Sequence, residues 1–289
     1  VNVSADEVLV LSGRRADGEG PRRDGKVFVI TGSGPSLGEN MDLLISQRDK
    51  IVLVSAGTSL RPLLKAGIKP DFHCELENVD AVPYLLRELD QDFDLTGITL
   101  LASTTVDPRV PGFFDKTIFF IREGDGVMPA LKGPVEQIQF VGPSSVNTGI
   151  VLADWLGAPT IALLGADFGK PVDGVAYTDG VAYQSLEKIN TERVKNGLHP
   201  IPPSGSTTGD MQIPVPGNAG NPVLSNNVLT MMRHRLESTV GMIAVPVLNI
   251  GRGALIAGTK PTAREALLSC LDEHARAVGM QSSGEGMPY

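Results

Sequence analysis

Aromatic residues are scarce in this chain of 289 residues, at 5% of the sequence with a single tryptophan, and only two cysteines are present. Cys74 and Cys270 lie far apart and follow no metal-binding spacing, so we interpret both as structural thiols in a reducing compartment. No apolar run approaches the ~20 residues of a membrane span, and no basic-then-apolar leader opens the chain. These absences argue against a disulfide framework and a helical membrane anchor, and we expect a cytoplasmic protein.

Positive charge is also in short supply. Lys and Arg number 25 against 33 Asp and Glu, which gives a net charge of −8. Non-specific nucleic-acid binding needs basic side chains that neutralise phosphates, so we expect no nucleic-acid partner. An acidic protein can still hold an anionic ligand through backbone N–H groups, and a hydrophobic content of 42% is typical of a globular domain.

Short apolar segments alternate with longer amphipathic ones along most of the chain. Strands are predicted at 7–11, 27–31, 51–54, 72–76, 98–102, 117–121, 160–164 and 245–250. Helices are predicted at 39–47, 59–66, 80–89, 146–156, 183–196, 228–240 and 262–277. This alternation predicts an α/β fold with a Rossmann-like, mostly parallel sheet and helices on both faces.

The domain boundaries follow from changes in composition. Residues 1–25 read as an N-terminal edge segment, 26–278 as one Rossmann-like domain, and 279–289 as a flexible tail. Within the domain, residues 169–227 are rich in Gly, Pro, Asn, Ser and Thr and show no clear core pattern. A connection of that length is typical of a lid or a binding loop, so we predict a lid-like insert there.

The stretch VFVITGSGPSLGEN, residues 27–40, places two glycines and a proline directly after the first buried strand. A dinucleotide fingerprint would need a third glycine where Leu37 stands, and a phosphate-binding P-loop would need Gly-Lys-Ser/Thr. We interpret residues 32–36 as a ligand-binding loop with backbone N–H donors, against the alternative of a tight structural turn. Pro35 fits the first position of the following helix, where a missing N–H costs little.

Polar residues follow several other strands, at the edge where open parallel sheets bind ligands. They are the turn at residues 55–58, the pair Glu77 and Asn78, the loop at residues 144–148, and Asp167. Asp167 suits a base, a metal ligand or a hydroxyl acceptor, and equally a turn aspartate that caps local N–H groups. His199, in the insert, is a candidate general base, although a surface histidine is the more common interpretation.

Two motifs together resemble the central domain of the motility accessory factors. They are Gly-Ser-Gly-Pro-Ser-Leu at 32–37 and Leu-Leu-Lys-Ala-Gly-Ile-Lys-Pro-Asp at 63–71. These bacterial proteins glycosylate flagellin with nonulosonic acids. The segment 248–258 also resembles their pattern, and the match covers roughly residues 26–260. The same two motifs occur in archaeal hydroxymethyldihydropterin pyrophosphokinases. Bacterial sialyltransferases are similar at 32–37, at Ser145 and at 165–168.

The resemblance implies a glycosyltransferase that moves a pseudaminic, legionaminic or sialic-type acid from a CMP-activated donor to Ser or Thr of flagellin, in support of flagellum assembly and motility. It implies no obligatory cofactor or metal. Ser33 replaces an asparagine of the sialyltransferase donor site, Ser145 matches a donor-contacting serine, and Tyr177, Tyr183 and His199 are available in the insert for the lid roles. The candidate site residues are His199 and Asp167 for catalysis, and Gly32, Ser33, Gly34, Pro35, Ser36, Ser55, Gly57, Thr58, Glu77, Asn78, Ser144, Ser145, Asn147, Thr148, Tyr177 and Tyr183 for donor binding.

Two alternatives remain open at this point. A pterin pyrophosphokinase would use ATP with Mg²⁺, for which Glu75, Glu77, Asp71 and Asp167 offer carboxylates. A non-catalytic module that binds flagellin through a relic site is the third hypothesis.

Overall fold

A nine-stranded, all-parallel sheet forms the centre of the fold. The structure is a computed structural model that describes residues 9–10, 25–124, 137–181, 186–201 and 210–282. The strands of this sheet are β1 (Leu9–Val10), β2 (Val27–Thr31), β3 (Ile51–Ala56), β4 (Phe72–Glu75), β5 (Thr99–Ser103), β6 (Lys116–Phe120), β7 (Ile161–Leu164), β10 (Val247–Ile250) and β11 (Lys260–Thr262). Two short strands, β8 (Ile213–Val215) and β9 (Val223–Ser225), pair antiparallel beside it.

Helices connect the strands and cover both faces, as the alternating pattern predicts. They are α1 (Pro35–Glu39), α2 (Met41–Gln47), α3 (Leu60–Lys65), α4 (Ala81–Asp92), α5 (Ser145–Trp155), α6 (Leu186–Lys195), α7 (Asn227–Met242) and α8 (Arg264–Ser282). Across the described residues, no helix is both long enough and apolar enough to cross a membrane. The predicted α/β, Rossmann-like fold class is confirmed.

The strand order is β1-β6-β5-β4-β3-β2-β7-β10-β11. From β2 the chain adds β3 to β6 in one direction, then returns to place β7 on the opposite side of β2. The loops that follow β2 and β7 therefore leave the sheet in different directions and open a crevice between them. In open parallel sheets ligands bind at such a switch point, outside the carboxyl ends of the strands.

The core explains why β2 has no polar alternation. All five of its residues are buried. Phe28 and Ile30 face a cluster with α5 and α7, whereas Val27 and Val29 face one with α1, α2 and α8. A strand covered on both faces needs apolar side chains on both. A third cluster packs α3 and α4 against β5.

The structure differs from the predicted elements mainly at their ends. The helix predicted at 39–47 begins earlier, at Pro35, in the first helical position as expected. Asn40 then separates α1 from α2 and donates its side-chain N–H to the Ser36 carbonyl at 2.8 Å. At the other end of the chain, α8 continues through residues 279–282 into the predicted flexible tail. The flexible tail stays a prediction, and residues 283–289 lie outside the described residues.

Three short strands were not predicted from the sequence. In the insert, α6 corresponds to the helix predicted at 183–196, but the β8–β9 pair was not predicted, and neither was β11. Each of these strands has three residues, and Pro214 and Pro261 interrupt two of them. Three residues are too few for a period-2 pattern, and proline lowers strand propensity. Tertiary contacts decide these strands, including those of Val215 and Val223 with Ala254.

Candidate functional site

A cleft of about 730 Å³ opens at the carboxyl ends of β2, β3, β4 and β7, at the switch point. This volume lies within the range of small-molecule sites. Of the residues expected in the site, the structure brings eleven to the cleft wall: Gly32, Ser33, Gly34, Gly57, Thr58, Glu77, Ser144, Ser145, Asp167, Tyr177 and His199.

The polar half of the cleft presents hydroxyl groups from three strand-end loops. Thr58 Oγ1 donates to Ser33 Oγ at 2.9 Å, which joins the loops after β2 and β3. The side chain of Ser145 lies against Gly57, and Ser144 caps α5. The first N–H groups of a helix have no partner within it and carry partial positive charge. Hydroxyls and the start of α5 therefore form a polar wall suited to an anionic group.

The glycine loop itself offers fewer N–H donors than its sequence suggests. Gly32 N–H donates to the carbonyl of Leu164 at 2.8 Å, and Gly34 N–H donates to that of Gly165 at 2.8 Å. A Cβ on Gly32 would overlap the Gly165 carbonyl oxygen, and one on Gly34 would overlap the Asp167 carboxylate. The glycines thus allow this loop to pack against the end of β7. Both N–H groups are therefore engaged within the protein, and the donor-binding role of the loop stays a prediction.

Asp167 holds the same loop in place through its carboxylate. Its Oδ2 accepts from Ser36 N–H at 2.8 Å, and its Oδ1 accepts from Ser36 Oγ at 2.6 Å. A further hydrogen bond comes from the backbone of Gly253. Burial raises the pKa of Asp167 to about 6, against the opposing effect of the Ser36 hydrogen bonds. Both oxygens are occupied, so the contacts favour a positioning role, and the role of Asp167 as a base stays a prediction.

Seven predicted residues do not line the cleft. Ser36 and Ser55 are buried, and Ser55 Oγ donates to the carbonyl of Phe72 at 3.3 Å. Asn147 Nδ2 donates to Thr239 Oγ1 at 2.7 Å, inside the core. Pro35 is half-buried on α1, Asn78 is exposed beyond β4, and Thr148 is buried in α5. Tyr183 lies outside the described residues. Residues 36, 55, 147 and 148 are therefore buried in the interior, behind the residues that line the cleft.

Two titratable residues on β4 were missed as site residues. His73 and Glu75 line the cleft and are 1% and 5% exposed. Burial lowers the pKa of His73 to about 4 and raises the pKa of Glu75 to about 7. From the sequence, His73 reads as a structural residue inside a strand, and Glu75 only as a possible Mg²⁺ ligand. The spacing of two ionisable residues at i and i+2 in a buried strand, on one face, was the available signal.

The remaining wall of the cleft is apolar. It is formed by α3, α4 and α7, and its side chains are Leu60, Val82, Leu85, Leu86, Leu89, Leu229 and Met232. Among the described residues, no group of three or more His, Cys, Asp or Glu side chains could hold a metal ion. An apolar wall with few convergent polar groups is typical of a site for an organic ligand.

The insert is attached to the cleft by its backbone and by α6. Thr178 N–H donates to the carbonyl of Ser33 at 3.0 Å, next to the cleft-lining Tyr177. On α6, Arg193 pairs with Asp80, and its Nε donates to the carbonyl of His199 at 2.9 Å. These contacts place His199 at the cleft.

Comparison with solved structures gives a fold relationship. The Maf glycosyltransferase from Magnetospirillum magneticum AMB-1 matches with a TM-score of 0.66 and 24% sequence identity. The match covers 94% of this chain but 39% of that protein, so the chain spans about two fifths of its length. At this identity the match supports the fold. No curated protein matches the chain.

Comparison with family models gives the family. A model described as 6-hydroxymethylpterin diphosphokinase MptE-like matches residues 16–173, more than half of the chain. The match begins before β2 and ends after β7, so it includes both sides of the switch point and Asp167. The chain belongs to the MptE-like family.

Proposed function

We propose that this protein is a glycosyltransferase that moves a nonulosonic acid from a CMP-activated donor to a Ser or Thr hydroxyl of flagellin. The observation that carries the proposal is the two-part cleft at the switch point, with a polar wall of Ser33, Thr58, Ser144 and Ser145 beside an apolar wall. The polar wall suits the phosphate and sugar of the donor. The similarity in fold to a Maf glycosyltransferase supports the same reaction class.

The proposed reaction is a single displacement at the anomeric carbon of the sugar. The bond from that carbon to a phosphate oxygen of CMP breaks, and CMP leaves with the electron pair. The acceptor hydroxyl oxygen forms the new bond, and its proton passes to His199. The Ser145 hydroxyl and the N–H donors at the start of α5 would stabilise the negative charge that develops on the phosphate.

The roles of the surrounding residues follow from their contacts. Asp167 fixes the glycine loop through Ser36, so it acts by position. The insert, which carries Tyr177 and His199, would shield the donor, because water competes with the acceptor hydroxyl for the sugar.

Binding of CMP is the first test, measured by titration calorimetry. We expect Ser145→Ala to weaken CMP binding about tenfold, because it removes one donor facing the phosphate. Ser46→Ala is the matched control: Ser46 lies on α2, outside the cleft, where its Oγ donates to the Leu43 carbonyl. A wild-type protein that binds no cytidine nucleotide would refute the proposed function. Transfer is then assayed by the mass added to flagellin in the presence of a CMP-activated nonulosonic acid.

A second candidate, a pterin diphosphokinase, is favoured by the name of the matching family model and by the carboxylates of Glu75 and Glu77 along one wall. That enzyme would break the bond between the α- and β-phosphates of ATP and move pyrophosphate to a pterin hydroxymethyl group, with AMP leaving. It would use Mg²⁺, which such carboxylates can hold together with the phosphates. Formation of AMP that depends on pterin and Mg²⁺, without any response to CMP, would select it.

A further inference from the structure

His73 and Glu75 form the floor of the cleft between β4 and the helices α3 and α4. Their neighbours along β4, Phe72 and Cys74, face the opposite core cluster. In register with Leu100 and Ala102 of β5, His73 and Glu75 instead face the apolar cluster of α3 and α4. Burying two ionisable groups in an apolar layer costs free energy unless hydrogen bonds offset it.

The proton of His73 is placed by its neighbour. Ser55 Oγ lies 3.3 Å from the Phe72 carbonyl, to which it can donate, and 3.0 Å from His73 Nδ1; on this geometry we assign the ring proton to Nδ1, with Ser55 Oγ as its acceptor. Burial keeps the ring neutral at pH 7, since the pKa of His73 is lowered to about 4. With the proton on Nδ1, the other nitrogen, Nε2, is a hydrogen-bond acceptor. The ring also stacks on Phe114 with 5.6 Å between centroids, which fixes its plane.

Glu75 is held in a similar way, by one of its two oxygens. Oε1 accepts from the N–H groups of Leu76 and Glu77 at 2.8 and 2.9 Å. In the described part of the chain Oε2 has no hydrogen-bond partner, and Glu75 lines the cleft. A fixed carboxyl with one engaged oxygen presents the other to a ligand.

The shape of this end of the cleft restricts the ligand. Leu60, Val82 and Leu86 supply apolar surface around the two acceptors. A flat ring satisfies apolar walls with its faces, whereas its edge must supply N–H groups to the acceptors. Sugars carry hydroxyls on both faces and would leave them without partners there.

We propose that His73 and Glu75 bind the N–H edge of an amino-substituted nitrogen heterocycle whose ring lies between Leu60, Val82 and Leu86. The inference rests on the proposed function in taking the cytosine of the CMP donor as the ring. A pterin ring has the same chemistry, with an amino group beside ring nitrogens. The site therefore fits a class of ring, and binding experiments distinguish its two sources, a cytidine nucleotide and a pterin.

The experiment compares CMP, UMP and 6-hydroxymethylpterin by titration calorimetry on the whole chain at pH 8. At this pH, above the raised pKa of Glu75, its carboxyl is ionised and the cleft-facing oxygen is an acceptor. UMP carries a carbonyl where CMP carries the amino group. Glu75→Gln preserves the Oε1 acceptor for the backbone and turns the cleft-facing oxygen into an N–H donor. His73→Phe keeps the ring stacking but removes Nε2. Asp90→Asn, on the exposed side of α4, removes one carboxylate outside the cleft and is the matched control.

We expect the wild-type protein to bind CMP about tenfold more tightly than UMP. In Glu75→Gln the preference should disappear or reverse, because a donor now faces the carbonyl of UMP. His73→Phe should weaken CMP binding about tenfold, and Asp90→Asn should change nothing. A reversal of base preference is a result that a merely structural role of Glu75 would not produce.

The outcomes separate this inference from the proposed function. Equal binding of CMP and UMP, unchanged in Glu75→Gln and without pterin binding, overturns the heterocycle site and leaves CMP binding standing. Binding of pterin alone, weakened in Glu75→Gln, supports the site with pterin as its source and refutes the CMP donor. A wild-type protein that binds none of the three contradicts both proposals.

Discussion

The Glu75→Gln substitution should also change the free energy of unfolding, and the size of this change follows from the burial of the carboxyl. Burial raises the pKa of Glu75 from 4.5 to about 7 in the folded protein. The difference between these two values, at ~1.4 kcal/mol per pH unit, corresponds to about 3 kcal/mol. This is the free energy by which ionisation of Glu75 destabilises the folded state above pH 7.

The sign follows from proton binding. Between pH 4.5 and about 7 the folded state keeps a proton on Glu75 that the unfolded state has lost. The free energy of unfolding therefore falls as the pH rises through this range. Glutamine is neutral throughout, so the variant lacks this loss. We expect the two proteins to be similarly stable near pH 4.5, and the variant to be more stable by about 3 kcal/mol at pH 8.

Urea denaturation of both proteins at several values between pH 4.5 and 8 measures this difference. Asp167, whose pKa is also raised by burial, titrates in the same range. Because Asp167 is present in both proteins, its contribution cancels when the two free energies of unfolding are subtracted at each pH. A difference that does not change with pH would refute the reasoning, because it would mean that Glu75 ionises normally. Greater stability combined with an altered base preference would identify Glu75 as a site residue kept at a cost in stability.

Two further predictions concern the glycine loop and the insert. Gly32→Ala should destabilise the protein by about 1–3 kcal/mol or more, because its Cβ would overlap a carbonyl oxygen after β7, whereas Gly112→Ala, with open space around its Cβ, should have little effect. Equal denaturation midpoints for these two variants would contradict the packing role of the loop. Arg193→Ala should speed protease cleavage within residues 186–201, because the side chain is 9% exposed and its loss removes the contact with Asp80. Lys188→Ala removes an ion pair of a side chain that is 70% exposed, so it should leave cleavage nearly unchanged. Equal cleavage rates in the two variants would argue against a stabilising role of the contact between Arg193 and Asp80.

Local sequence determined eight of the nine strands of the central sheet and most of the helices that cover it. The run VFVIT at 27–31 predicts a strand covered on both faces, and β2 has these bounds with every residue buried. Pro35 predicts a helix start, and Gly67 and Gly157 predict helix ends. The structure has positive φ angles of 73° and 75° at these two glycines. Such features depend on residues a few positions apart, because periodicity, proline and glycine act on the local backbone.

Only the tertiary structure decided which groups meet at the cleft. Ser36 and Asp167 are 131 residues apart, and their contact, together with the engaged N–H groups of Gly32 and Gly34, shows that the glycine loop also packs against the end of β7. The orientation of His73 and Glu75 likewise depends on which helices cover that face of β4. Sequence placed polar residues at the strand ends, but the strand order and the partners of each polar atom come from long-range contacts. No local pattern encodes those contacts, because they form between segments that are distant in the chain.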